Sequence, residues 1–361
     1  MIFARKCFNL IMISALFAGV LFRSVAAANS AELDTTVHHQ ESSFDPGTMI
    51  VEHITDTHEW HIMTIGEKHI SIPLPVILLS DGKLNVFLSS KFDHGHASYK
   101  GFRLETEGEN KGKIINEETG ELPIDLSITK TVASMFISMI LIIIIFVAIG
   151  KSYTLRRGQA PKGLQSLLEP LILFIRDDVA RASIGEKKYE KFLPYLLTIF
   201  FFIFFNNLLG LVPIFPGGVN LTGNIAITMV MALFTFIITS FSANKNYWVH
   251  IVNTPGVPWW LKIPVPLMPI VELMGVFTKP FVLMVRLFAN ITAGHIIILG
   301  FMSLIFIFGN MNPAIGYGVS VVSVGFAVFM GLLELLVAFI QAYVFTLLSA
   351  LYFGMATEEH H

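Results

Sequence analysis

The sequence predicts an all-α polytopic membrane protein of about five membrane-embedded helices plus one in-plane amphipathic helix, the last two long and strongly tilted as a hairpin, with a small β-rich extracytoplasmic extension before them. Three observations carry this reading. Of 361 residues, 54% are hydrophobic and only 14% charged, well away from the globular average. Between Phe192 and Thr357 the only charged side chains are Lys245, Lys262, Glu272, Lys279, Arg286 and Glu334. Residues 29–127, in contrast, hold 17 Asp and Glu against 7 Lys and Arg, a net of −10 that marks a water-facing region. The single cysteine, Cys7, excludes disulfides and cysteine-metal centres.

Residues 1–28 have a basic start at Arg5 and Lys6, an apolar stretch and small residues at Ala26 to Ala28, the pattern of a secretory signal peptide. Arg23 interrupts the apolar stretch, and the other reading is an uncleaved anchor helix. Both start residues 29–127 outside the cytoplasm. That extension contains the β-like runs WHIMTIG, KHISIPLPVILL and KLNVFLSS, separated by turn formers such as Ser80-Asp81-Gly82, and predicts one or two hairpins of low stability. It holds eight of the twelve histidines, among them His58, His61, His94 and His96. Their spacing matches no zinc template, and a solvated His-rich surface is the preferred reading over a metal site.

The membrane domain, 128–361, opens with a span whose apolar part runs from Val132 to Gly150, about the 20 residues a bilayer crossing needs. The following loop, Lys151 to Lys191, carries nine Lys and Arg, which places it in the cytoplasm. Within it, GLQSLLEPLILFIRDDVARASIG alternates apolar and charged residues at helical spacing, too polar to span and suited to lie in the membrane plane. Two spans follow at about 192–214 and 222–243, joined by a chargeless link, and then a link with Lys245, Lys262 and the interfacial Trp248, Trp259 and Trp260. The last two apolar segments, about 264–309 and 314–355, are each about twice the length of a perpendicular span, so strong tilt or breakage is expected.

These two segments hold the polar residues that require explanation. At 3.6 residues per turn, Glu272, Lys279, Arg286 and Asn290 fall within about 40° of one face, whereas His295 emerges near the opposite side. Glu334 and Gln341 lie about 20° apart on the last helix, so that Gln341 is placed to face Arg286 while Glu334 meets His295. A charge inside a bilayer costs from about 3 to over 10 kcal/mol by different measures and marks an ion or substrate path. Mutual polar satisfaction between helices is the alternative. That alternative is weakest for Arg286, His295 and Glu334 taken together, because a guanidinium with no adjacent intramembrane carboxylate in its own sequence awaits one from another chain.

The run Arg286 to His295, RLFANITAGH, resembles the signature of subunit a of the rotary F-type ATP synthases. The resemblance extends to Lys279-Pro280, to Glu272, to the spacing of Glu334 and Gln341, and to FLPYLLTIFFFIFFNNLLGLVPIF, covering about residues 128–355. It implies a stator set against a ring of small proteolipid c subunits, with two aqueous half-channels separated by Arg286, and peripheral stalk b subunits and membrane lipid as further partners. It also implies that Arg286 attracts an ionised ring carboxylate, that His295 and Glu334 form a titratable relay on the outer side, and that Gln341 orients the arginine. Asn290 and Glu272 line the path, Glu272 toward the cytoplasm. Some bacterial members of that family exchange the acid and imidazole between the positions matched by His295 and Glu334. Asn206, Asn207 and Asn224 depart from the acidic residues many bacterial members carry.

The expected protein is therefore a non-catalytic proton-translocating subunit in a bacterial-type inner membrane, with a cytoplasmic C-terminus and no cofactor, metal or nucleic-acid partner. The chain contains no GxxxxGK[ST] phosphate loop. The competing expectations are a secondary transporter in which Arg286 binds an anionic substrate, which would show internal repeats, and a binding protein anchored by its helices and acting through the His-rich extension.

Overall fold

The computed structural model describes residues 55–358 except 66–67, 81, 107, 109, 156–158, 213–216 and 253–266, together with Gly47 and Ile50. The expected signal peptide at 1–28, Trp259, Trp260 and Lys262 lie outside the described residues. Seven short strands precede the helices: β1 (Glu59–Ile65), β2 (Lys68–Pro73), β3 (Pro75–Ser80), β4 (Lys83–Leu88), β5 (Phe102–Leu104), β6 (Ile114–Asn116) and β7 (Ile124–Asp125). They form three antiparallel sheets, β1-β2, β4-β3-β7 and β5-β6, more than the one or two hairpins expected.

The run KHISIPLPVILL is two strands, not one. Leu74 stands between Pro73 and Pro75, and a proline has no N–H to give to a ladder. The Leu74 N–H donates instead to Ser89 Oγ at 3.0 Å, and β3 then turns to pair with β4. One face of that sheet presents Val76, Leu78 and Phe87 to Phe92, Phe102 and Ile114, which together make the core of the β region.

His58 corrects the expectation of a solvated histidine surface. It is 8% exposed, and its Nε2 lies 2.7 Å from Asp125 Oδ2, joining the segment before β1 to β7. Burial opposes the charged form of Asp125, but hydrogen bonds from His58 and Ser127 outweigh it and hold the carboxyl below its usual range. His96, by contrast, is exposed. Among the described residues there is no group of three or more His, Cys, Asp or Glu placed to hold a metal.

Among the described residues the helices that follow are α1 (Lys130–Leu155), α2 (Leu164–Phe174), α3 (Tyr189–Leu211), α4 (Ile225–Ser242), α5 (Lys245–Val252), α6 (Leu267–Met311) and α7 (Pro313–Thr357). After Phe174, α2 passes through a π-type turn, Ile175–Arg181, into a last helical turn at Ala182–Ile184. Five of these helices, α1, α3, α4, α6 and α7, are long and apolar enough to cross a membrane. The protein is thus mostly helical with a small β-containing N-terminal region.

The two 45-residue helices, α6 and α7, are joined through Asn312 alone. Its side chain accepts the Ala314 N–H at 2.9 Å and Pro313 occupies the first turn, so the cap and the proline start α7 directly after α6 ends. Gly309 and Gly316 let the two backbones meet there, since a Cβ on Gly316 would collide with Gly309 Cα at 2.6 Å. Helix α7 then packs along α6, α3 and α4, and the buried core gathers Phe192, Phe200, Leu283, Leu287, Phe345 and Phe353. Phe192 and Phe353 stack with centroids 4.8 Å apart. At the far end, Asn244 N–H donates to Ala356 O at 2.8 Å, and Lys188 and Asn244 side chains both reach Thr357 O.

Candidate functional site

Two of the candidate residues, His295 and Glu334, sit where α6, α7 and α3 converge. His295 Nδ1 on α6 lies 3.7 Å from Glu334 Oε1 on α7, with side chains 14% and 10% exposed. Neither of those two atoms has a hydrogen-bond partner, and both are buried. A buried acid and imidazole that face one another at slightly more than hydrogen-bond length can exchange a proton through one water or a small approach.

One glycine makes room for this pair. A Cβ on Gly294 would collide with the Glu334 carboxylate, so only glycine lets the acid of α7 lie against the backbone of α6. Across the pair, a Cβ on Gly210 of α3 would lie 3.9 Å from His295 Cε1 and 3.5 Å from Val219 O. The ring is thereby set between α6 and the chain that follows α3.

Asn207 connects the same region. Its Nδ2 donates to Ala338 O at 3.3 Å, one turn beyond Glu334, and its Oδ1 accepts the Thr222 hydroxyl at 2.6 Å. Thr292, three residues before His295, donates to Gly223 O at 3.5 Å. Asn207 and Thr222 are 4% and 1% exposed. Sequence reasoning noted Asn207 only as a departure from an acidic residue and missed Thr222, Gly210 and Gly294. The signal for Gly294 was a small residue beside a polar one inside a helix, but nothing in one helix reveals what its neighbour brings. Asn224 is a helix cap, its Oδ1 accepting the Ala226 N–H at 3.0 Å, and Asn206 donates to Phe202 O at 2.7 Å.

Arg286 is placed differently. It is exposed on α6, as are Ala289 and Asn290, while Leu283, Leu287 and Ile291 face the core. Among the described residues it has no hydrogen bond or ion pair. Gln341 is 8% exposed, and no hydrogen bond links it to Arg286. Leu332, Leu333, Leu335 and Leu336, which flank Glu334 on α7, are exposed.

A small pocket lies between α4, α5, α6 and α7, lined among others by Thr239, Tyr247, Lys279, Pro280 and Tyr352. The Lys279 ammonium stands 5.7 Å from the Tyr352 ring centroid. Glu272, two turns earlier on α6, is half-buried. Burial raises the Tyr247 hydroxyl above its usual range, and the charge of Glu272 adds to this.

Five apolar helices, with an acid–imidazole pair inside and an unpaired arginine on a neighbouring face, define a multi-pass membrane protein with ionisable groups at membrane depth. Residues 132–354 match the family model described as ATP synthase A chain, and residues 49–133 match that of a domain of unknown function (DUF8433). The chain is similar to an ATP synthase subunit a 2 of Chlorobaculum tepidum, 49% identical over 64% of this chain and 64% of the relative. An ATP synthase subunit a of Chloroherpeton thalassium is 46% identical over 65% of this chain and 69% of its own length. An ATP synthase subunit a 2 of Prosthecochloris aestuarii is 38% identical over 94% of this chain and 88% of its own. The chain spans just under two thirds of the first relative and most of the third. It belongs to the ATP synthase A chain family.

Proposed function

We propose that this protein is the ion-translocating stator subunit of a rotary ATP synthase, carrying protons through two half-channels separated by Arg286 to and from a ring of c subunits. The observation that carries the reading is the division of labour along α6: a buried acid–imidazole pair at His295, and nine residues earlier an exposed arginine without a partner. Those nine residues amount to about 13 Å of helix. A guanidinium does not titrate near neutral pH, so Arg286 holds no proton of its own. It attracts the ionised carboxylate of a ring subunit, promotes loss of that subunit's proton on one side, and blocks direct passage between the channels. The exposed leucines of α7 that flank Glu334, Leu332, Leu333, Leu335 and Leu336, suit a proteolipid neighbour.

His295 and Glu334 deliver protons on the outer side, because one group accepts as the other gives. Gln341 and Asn290 position the arginine, the buried amide of Gln341 acting once the ring closes over this face. The cavity beside Lys279, Glu272 and Tyr352 serves as the cytoplasmic approach. The chain performs no ATP chemistry, which belongs to other subunits of the complex.

The nine basic residues of 151–191 set that segment in the cytoplasm. With 1–28 as a leader, 29–127 then lies outside, 128–361 forms the membrane domain, and the C-terminus is cytoplasmic. Helix α2 lies in the membrane plane. At about 1.5 Å per residue, α6 and α7 are about 67 Å long against a 30 Å hydrocarbon layer, so both are strongly tilted. Peripheral stalk b subunits complete the stator. A secondary transporter with Arg286 binding an anion is not favoured by membership of this family.

The test is ATP-driven proton pumping in vesicles whose complex carries Arg286→Ala. Pumping is expected to be abolished with the complex assembled, and undiminished pumping would falsify the reading.

A further inference from the structure

The β region is not a loose appendage on the helices. The segment before β1 grips the head of α1: Asp56 Oδ1 accepts the Thr131 N–H at 3.0 Å, Thr57 O accepts the Lys130 N–H at 2.8 Å, and Thr55 O accepts the Lys130 ammonium at 3.1 Å. The first two bonds satisfy backbone donors that the first turn of a helix otherwise leaves open. A second hold lies beside the first. Trp60 and Leu74 close with Val219, from the chain between α3 and α4, into one buried cluster, each at most 7% exposed, with Ala133 and Ile137 of α1 packed on it.

From Val219 a short series of contacts leads to the acid–imidazole pair. The carbonyl of Val219 accepts the Leu221 N–H at 3.0 Å, and Asn220 Oδ1 accepts the Gly223 N–H at 2.9 Å, which together set the turn 219–223. That turn presents Thr222 to Asn207 on one side and the Gly223 carbonyl to Thr292 on the other. Asn207 is in turn bonded to Ala338, four residues after Glu334, and Thr292 stands three residues before His295. The turn thus touches α6 directly and reaches α7 through Asn207, and its backbone packs with the His295 ring on the same glycine, Gly210.

We propose that the N-terminal β region is a clamp on the outer half-channel, and that Trp60 is a positioning residue for proton transfer at His295 and Glu334. The proposal rests on the reading of that pair as the outer relay. Trp60 reaches no reacting atom. It acts through Val219 and the turn, fixing the distance between helices α6 and α7 at the pair. Proton transfer depends steeply on such distances, and a misplacement of about 1 Å can cost up to about 100-fold in rate.

The experiment uses the assembled complex in membrane vesicles, with proton flux measured against the pH at the outer face. Trp60→Ala is expected to lower flux by roughly tenfold, on the scale of a displacement below 1 Å, and to shift the pH profile while complex yield stays normal. Trp60→Phe, which refills most of the cluster, is expected to restore both. Wild-type flux and pH profile in assembled Trp60→Ala overturn the proposal. Should that variant fail to assemble, the smaller truncation Val219→Ala at the same cluster decides by the same two readouts. Glu334→Gln run in parallel separates the two readings. Loss of flux there with none in Trp60→Ala overturns the clamp alone, whereas full flux in Glu334→Gln overturns the relay on which it rests.

Discussion

Glu334 Oε1 and His295 Nδ1 face one another at 3.7 Å, both buried and both without a hydrogen bond. Leaving two such atoms unsatisfied costs about 1–3 kcal/mol each when nothing else is gained. If the pair acts as a unit, its two members are coupled. Glu334→Gln and His295→Ala are each expected to lower ATP-driven proton pumping by about 100-fold, the scale of losing a general acid or base, and the double variant to be little worse than either. The reversed pair, His295→Glu with Glu334→His, is expected to recover part of the flux that each single exchange loses. Additive losses in the four variants would argue against a shared proton.

Gly294 gives a sharper geometric test. A methyl group there meets the Glu334 carboxylate. Gly294→Ala is expected to destabilise the helix pair by about 1–3 kcal/mol through overpacking and to depress pumping, whereas Gly300→Ala, with open space around its Cβ position, serves as the control. Thermal melting of the purified complex and pumping rates measure the two effects. Equal behaviour of both variants would refute the packing argument.

Arg286 is exposed and, among the described residues, makes no hydrogen bond or ion pair, which on the proposed reading leaves it for a carboxylate of a ring subunit. A lysine keeps the charge but not the planar fork of donors. Arg286→Lys is expected to reduce pumping by about 100-fold, comparable to losing a preorganised charge-stabilising donor, with the c subunits still co-purifying. Normal pumping would mean that charge alone suffices at this position.

The β region carries an acid-sensitive tie. Because Asp125 is held below its usual range, its contribution to stability is fully present above the ordinary carboxylate pKa of about 3.9. It is lost as the pH falls through the lower folded value. His58→Ala removes one of the two side-chain partners that depress it, and is expected to move that loss to higher pH. Amide hydrogen exchange over residues 55–127 as a function of pH would show this shift, and an unchanged acid limb would exclude the tie.

Much of the architecture is written locally. Apolar run length and charge placement determined the five spans and the separate polar N-terminal region, because insertion in a bilayer depends on stretches of about 20 residues. Helical periodicity placed Arg286 and His295 on opposite sides of α6, and the structure keeps them there, one exposed and one buried. The prolines that divide β2 from β3 were also visible, although the run of β-formers around them read as continuous.

What only the tertiary structure decided is which residues of different elements meet. His58 and Asp125 are 67 residues apart, and Asn207 reaches Ala338 across 131. The clearance at Gly294 exists only because α7 turns Glu334 toward it. These relations depend on the rotation and axial register of one element against another, set by the close packing of their whole surfaces. Hydropathy and periodicity describe one element at a time, so they named His295 and Glu334 as partners in waiting, while the packing of α3, α6 and α7 brought them to 3.7 Å.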